Sequence, residues 1–242
     1  TEHELTGFPS IDKPWLKYYS EEAINAELPK CTILQYIKHK NLKNPSGIAL
    51  SYFGNKITYR KFFEHIEKVA KAFYAMGIRK GDIVTIASMH TPETIYMIYA
   101  LNKIGAVANM VYLTLSASEI IEIIKNTDSK VFIYLAIAHE KGEAVEKELP
   151  NVKNILLDVS DSMPWYLKYL YRLKNKKNTF RKAYSFKDFL ILGENVEAKE
   201  APYIKNTPAV IVYTSGTTGI PKGVVLSNDN LNAVAEQYSY TT

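Results

Sequence analysis

The chain has 242 residues, 47% of them hydrophobic, with 30 basic against 25 acidic side chains and one cysteine. That is enough apolar content to bury a core, in one large domain or two small ones, and the 11 glycines and 10 prolines are too few for a disordered or fibrous chain. The lone Cys31 excludes an intrachain disulfide and points to a reducing, cytosolic setting.

The net charge of +5 is local. From Ser162 to Lys187 the sequence carries eight basic residues (Lys168, Arg172, Lys174, Lys176, Lys177, Arg181, Lys182 and Lys187) and no acid, leaving 22 basic against 25 acidic elsewhere. A patch of this kind is not a whole-chain nucleic-acid signature, and no nucleic-acid partner is expected. The opening "TEHELTGFPSIDKPW" lacks the basic flank and apolar run of a secretory leader. The longest apolar stretch, 95–113, is broken by Asn102, Lys103, Gly105 and Asn109, and reads as helix, turn and strand.

In chain order, residues 1–47 read as a lead-in of which the first 30 are polar, and 48–53 and 57–59 as short strands around the turn "GNK". Phe62, Ile66, Val69, Phe73 and Met76 recur at alternating spacings of four and three, one stripe of an amphipathic helix that Gly77 stops. "DIVTIAS" (82–88) predicts a buried strand. Thr91-Pro92-Glu93 predicts the cap and first turn of a helix running to Ile104, which Gly105 ends. "AVANMVYL" is a further strand, and Ser116 with Glu119 forms a capping box ahead of "IIEII". "KVFIYLAI" is a strand, 140–149 a polar helix and "VKNILLDV" a strand. The alternation breaks near Asp158, resumes over 185–192, and passes through a polar linker to the strand "AVIVYT".

Strands alternating with helices predict an α/β fold: a Rossmann-like, mostly parallel sheet flanked by helices, with ligands beyond the carboxyl ends of the strands. The segments divide as a lead-in (1–47), an α/β subdomain (48–160), a basic aromatic insertion and linker (161–207), and a glycine-rich hairpin with its following helix (208–242). All four belong to one domain.

That hairpin, "VYTSGTTGIPKGVVL", has the chemistry a phosphate chain requires. Gly216, Gly219 and Gly223 let backbone amides approach, Ser215, Thr217 and Thr218 add donors, and Lys222 supplies charge. A Walker A loop is excluded, because Pro221 precedes the lysine and a strand, "GVVLS", follows it. The next helix begins near Ser227 or Asn228, with Leu231, Val234 and Ala235 on one face. On composition alone, a merely flexible connection between two strands fits equally well.

The order of residues in "YTSGTTGIPKGVVLSNDNLNA" resembles the phosphate-loop signature of the adenylate-forming (AMP-binding) superfamily, which includes acyl-CoA synthetases. Looser similarity extends through "ITYRKFFEHIEKVAKAFYAMGIRKGDIVTI" and "MIYALNKIGAVANMVYLTLSASEI". The resemblance implies ATP-dependent activation of a carboxylic acid as an acyl-adenylate, with Mg²⁺ offsetting phosphate charge and coenzyme A as acceptor. It implies that Thr214, Ser215, Gly216, Thr217, Thr218, Gly219 and Lys222 bind the β- and γ-phosphates, and that Thr214 also ligates the metal. Many members carry a histidine where this chain has Asn228 or Asp229, and no role is assigned to that position.

Members run to roughly twice this length, and the family's catalytic lysine would lie beyond Thr242, so the catalytic residue is unknown. The expectation is an incomplete N-terminal domain, inactive alone and inclined to self-associate as a homo-oligomer, from a cytoplasmic acyl-CoA synthetase of fatty or other aliphatic acids. An adenylation domain that loads an amino or aryl acid onto a carrier protein, or a non-catalytic nucleotide-binding module, fits the same residues.

Residues 163–184, "MPWYLKYLYRLKNKKNTFRKAY", combine aromatics with cations. The stretch reads either as a surface hairpin or as an interfacial helix making peripheral contact with an anionic membrane. His90, at a strand-to-helix turn, and Cys31 read as structural.

Overall fold

The computed structural model describes residues 5–174, 183–214 and 221–240. Its first elements are α1 (Pro9–Asp12), a 3-10 turn (Pro14–Tyr18), α2 (Glu21–Asn25) and α3 (Ile33–Lys40). α3 starts on a capping box of Thr32 and Gln35, and its Leu34 is wholly buried. Part of the stretch read as a lead-in therefore belongs to the core.

A hairpin follows, β1 (Ile48–Tyr52) and β2 (Asn55–Thr58). The turn is at Phe53 and Gly54, with φ of 47° and 84°, and not across Gly54–Lys56 as the sequence suggests. A two-residue loop with both φ positive matches the right-handed twist of the strands, and here Phe53 takes a conformation that glycine or asparagine usually supplies. Tyr59 is not in a strand. It opens α4 (Tyr59–Ala75), whose first turn is capped by the Thr58 hydroxyl. The predicted stripe Phe62, Ile66, Val69 and Phe73 is buried, and Gly77, at φ 91°, ends the segment.

The alternating part runs β3 (Ile83–Ala87), α5 (Pro92–Ile104), β4 (Val107–Val111), α6 (Ala117–Asn126), β5 (Val131–Leu135), α7 (His139–Glu148) and β6 (Lys153–Leu157). Then come α8 (Trp165–Lys174), β7 (Tyr184–Ser185), α9 (Phe186–Ile191), β8 (Pro208–Thr214), β9 (Lys222–Ser227) and α10 (Asn228–Ser239). The large sheet has the order β7-β6-β5-β3-β4-β8-β9, parallel except for the antiparallel pair β8–β9.

Successive strand residues point to opposite faces, so the sheet has two cores. Val84, Ile86, Ala108, Ile133, Ile155 and Val210 pack with buried residues of α3, α4, α5 and α9. Ala87, Val111, Phe132 and Tyr134 pack with the isoleucines of α6 and with Val145 of α7. After β3 the chain crosses on the first face; after β4 and β5 it crosses on the second. The carboxyl end of β3 is thus a switch point, where open sheets of this type leave a crevice.

α10 departs from its sequence reading. Val234 and Ala235 are exposed, and the side chains it buries are Asn228 and Asn232. Among the described residues no helix is long and apolar enough to cross a membrane.

Candidate functional site

β8 runs parallel beside β4 to the carboxyl end of the sheet, and β9 returns from it. Directly paired residues are Tyr213 with Gly223 and Thr214 with Lys222. Opposed residues of an antiparallel pair project from the same face, so Thr214 and Lys222 leave the same face of the hairpin at the base of the loop. Both residues are exposed. The remaining sequence-derived positions, Ser215, Gly216, Thr217, Thr218 and Gly219, lie outside the described residues. Among the described residues no cluster of three or more His, Cys, Asp or Glu side chains could hold a metal ion.

The strand entering the loop is tied down from below. Tyr112, one residue past β4, donates its hydroxyl to the Tyr213 carbonyl at 2.9 Å. The Tyr213 ring lies over Gly223, where an added Cβ would be 3.1 Å from Ile211 Cγ2 and 3.3 Å from the ring. Gly223 thus makes room for an aromatic ring, besides any part in the loop. Burial pushes the Tyr213 phenol up, opposed by the side chain of Asn109. Asn109 is itself fully buried and donates to Thr85 Oγ1 at 2.9 Å, which shares a 2.7 Å hydrogen bond with Ser129 Oγ. Sequence reasoning passed over Tyr112 and Asn109 because both sit inside a strand-forming run. Their partners, Tyr213 and Thr85, are 101 and 24 residues away.

At the switch point, Ser88 Oγ meets Thr94 Oγ1 at 2.7 Å, Thr91 caps α5, and His90 is exposed. The carboxylate of Glu93 turns inward. It is 2% exposed and accepts from Ser162 Oγ through Oε1, and the nearby Tyr96 is equally buried. Burial raises the pKa of Glu93 and also that of Tyr96, with the Glu93 charge adding to the second effect. His65 stacks on Tyr96 at 4.8 Å between ring centroids, and burial holds its pKa below the usual imidazole value.

A carboxylate whose pKa rises on folding binds its proton more tightly in the native state. Glu93 therefore adds stability below its unfolded value of 4.5, and that stability is lost as pH rises through the native value. Glu93→Gln keeps the acceptor for Ser162 and removes the buried charge. It is expected to be more stable than wild type at neutral pH by about 1 kcal/mol, a rise of about 2–4 °C in melting temperature. The advantage should vanish in acid. Thermal unfolding of both proteins across pH checks this, and a constant difference at all pH values would mean that Glu93 does not titrate as described.

The AMP-binding enzyme family matches residues 37–242. The long-chain-fatty-acid–CoA ligase of Bacillus subtilis (strain 168) is 28% identical over 233 residues, covering 93% of this chain and 41% of that relative. Acetyl-coenzyme A synthetase 1 of Saccharomyces cerevisiae (strain ATCC 204508 / S288c) is 27% identical over 238 residues, 90% of this chain and 30% of its own. The chain thus spans less than half the length of these relatives. Among solved structures, the anthranilate CoA ligase AuaEII in complex with anthranoyl-AMP superposes with a TM-score of 0.69 at 18% identity, covering 86% of this chain and 36% of that one. The fold is therefore shared with adenylate-forming ligases, and the sequence match decides membership: this chain belongs to the AMP-binding enzyme family.

Proposed function

We propose that these 242 residues carry the phosphate-binding part of an AMP-forming acid–CoA ligase. That enzyme would activate an aliphatic carboxylic acid with ATP and pass the acyl group to coenzyme A. The observation that carries the reading is the pairing of Thr214 with Lys222 at the base of a glycine- and hydroxyl-rich loop. It stands at the carboxyl end of a mostly parallel sheet, in a chain of the AMP-binding enzyme family. In this reading Lys222 neutralises the β- and γ-phosphates, and the hydroxyls and amides of 214–219 cradle them. Thr214 is assigned to Mg²⁺ as well, since an exposed threonine hydroxyl is an oxygen donor of the kind that ion takes alongside water and phosphate.

The relatives' names range from acetyl to long-chain fatty acids, which supports an aliphatic substrate. We assign acid binding and acyl transfer to parts of the relatives that this chain does not span. The 242-residue chain is accordingly expected to bind Mg·ATP but to catalyse no carboxylate-dependent exchange of labelled pyrophosphate into ATP. Lys222→Ala should weaken Mg·ATP binding about tenfold, the loss of one charge-assisted hydrogen bond. Titration calorimetry on wild type and variant checks the binding. Equal affinity in the two proteins would remove Lys222 from the site, and acetate- or palmitate-dependent exchange by the chain itself would overturn the division of labour.

A further inference from the structure

We propose that the outward face of α8 docks on an anionic lipid bilayer. A helix on the surface of a globular domain normally turns its apolar stripe inward and its polar side to water. α8 does the reverse. Trp165, Tyr166, Tyr169, Leu170 and Leu173 are 82%, 49%, 62%, 59% and 67% exposed. At 100° per residue these five side chains share one arc of about 140°. The remaining face is partly covered: Leu167 and Tyr171 are half-buried, and Lys168 turns back to the Asp161 carbonyl at 3.1 Å and to its carboxylate at 3.7 Å.

This helix is anchored. The segment leading into it is held by Tyr52 Oη on the Val159 carbonyl at 2.9 Å, by Asn55 Nδ2 on the Ser162 carbonyl at 2.9 Å, and by the Ser162–Glu93 hydrogen bond. The apolar face therefore projects from a docked element, and nothing among the described residues covers it.

Charge selects the occupant. Arg172 and Lys174 are exposed and lie on opposite flanks of the apolar arc, and the sequence from Ser162 to Lys187 contains no acidic residue. A second copy docking face to face would set Arg172 and Lys174 close to their own counterparts, a like-charge contact that disfavours a dimer there. An anionic headgroup layer would attract them. Tryptophan and tyrosine rings, apolar with one polar edge, suit the depth where headgroups meet acyl chains, and two leucines supply shallow insertion.

The test is co-sedimentation of the chain with vesicles of phosphatidylcholine alone or mixed with phosphatidylglycerol. The mixed vesicles should bind about tenfold more tightly, and raised salt should remove most of that gain. The double variant Leu170→Ser with Leu173→Ser should lose about tenfold in binding while its thermal unfolding is unchanged, since both side chains are solvent-exposed in the fold. Equal binding to the two vesicle types, or an unaffected double variant, would overturn the proposal. So would a dimer seen by light scattering that the double variant dissolves without any vesicle binding, because the face would then join two copies. None of these readouts involves nucleotide, so failure here leaves the phosphate-site reading standing.

Discussion

Phe73→Ala is expected to lower the stability of the chain by about 3–5 kcal/mol, the range for emptying a well-packed aromatic site. Phe73 is completely buried in α4, and its ring meets Phe189 of α9 edge-on at 4.9 Å between centroids. Phe189 is the only fully buried residue of α9, and Phe186 and Leu190 add partly buried contacts with the same core. The surroundings cannot close easily over the gap. Just beyond α9, Gly193 lies so close to α4 that a Cβ there would be 2.5 Å from the Ala72 amide nitrogen, and α9 is held at a fixed height above its neighbour. Urea unfolding should show a lower midpoint with an unchanged slope. Phe189→Ala should cost nearly as much, and the double variant clearly less than the sum, because both single changes empty the same contact. Strict additivity would show that the two rings do not depend on each other.

What could be read from the sequence follows the range of the interaction. The stripe Phe62, Ile66, Val69 and Phe73 is set by the 3.6-residue period of one helix, and it lies in the core as the spacing says. The caps at Thr91 and Ser116 are equally local, each a side chain bonding an amide three residues on, and both form. The strand–loop–strand arrangement around Thr214 and Lys222 was legible for the same reason. What failed depends on partners far away in the chain. Of the stripe Leu231, Val234 and Ala235, only Leu231 packs against the core, because the surface that α10 meets next to it is the polar start of α3. The Tyr112 tether becomes visible only once β4 and β8 are adjacent. The aromatic residues of 165–173 satisfy helical spacing, yet spacing alone cannot say whether a stripe faces the core or the solvent.

Asn228→Ala is expected to cost about 2–3 kcal/mol, because one carboxamide oxygen serves two donors that would then lack a partner. Asn228 is 4% exposed, and its Oδ1 accepts from the Ile33 amide at 3.0 Å and from Asn102 Nδ2 at 2.8 Å. Asn102 Oδ1 in turn accepts from the Leu34 amide at 3.2 Å, and Asn232 Nδ2 donates to the Cys31 carbonyl at 2.8 Å. Three asparagines from α5 and α10 thus satisfy backbone groups around the start of α3, where a helix has no partners of its own. The consequence reaches the candidate site, because Asn228 is the first residue of α10 and immediately follows β9, the strand that begins at Lys222. Removing its side chain should therefore loosen both the α3 start and the return strand of the phosphate loop. Native-state hydrogen exchange is expected to show faster exchange at Ile33 in Asn228→Ala, together with lower global stability in urea. Asn228→Asp keeps an acceptor for both donors, and a negative charge suits a helix N-terminus, so it should cost less than alanine despite its burial. If aspartate proved as damaging as alanine, the asparagine would be valued for its own amide protons rather than for the two bonds it accepts.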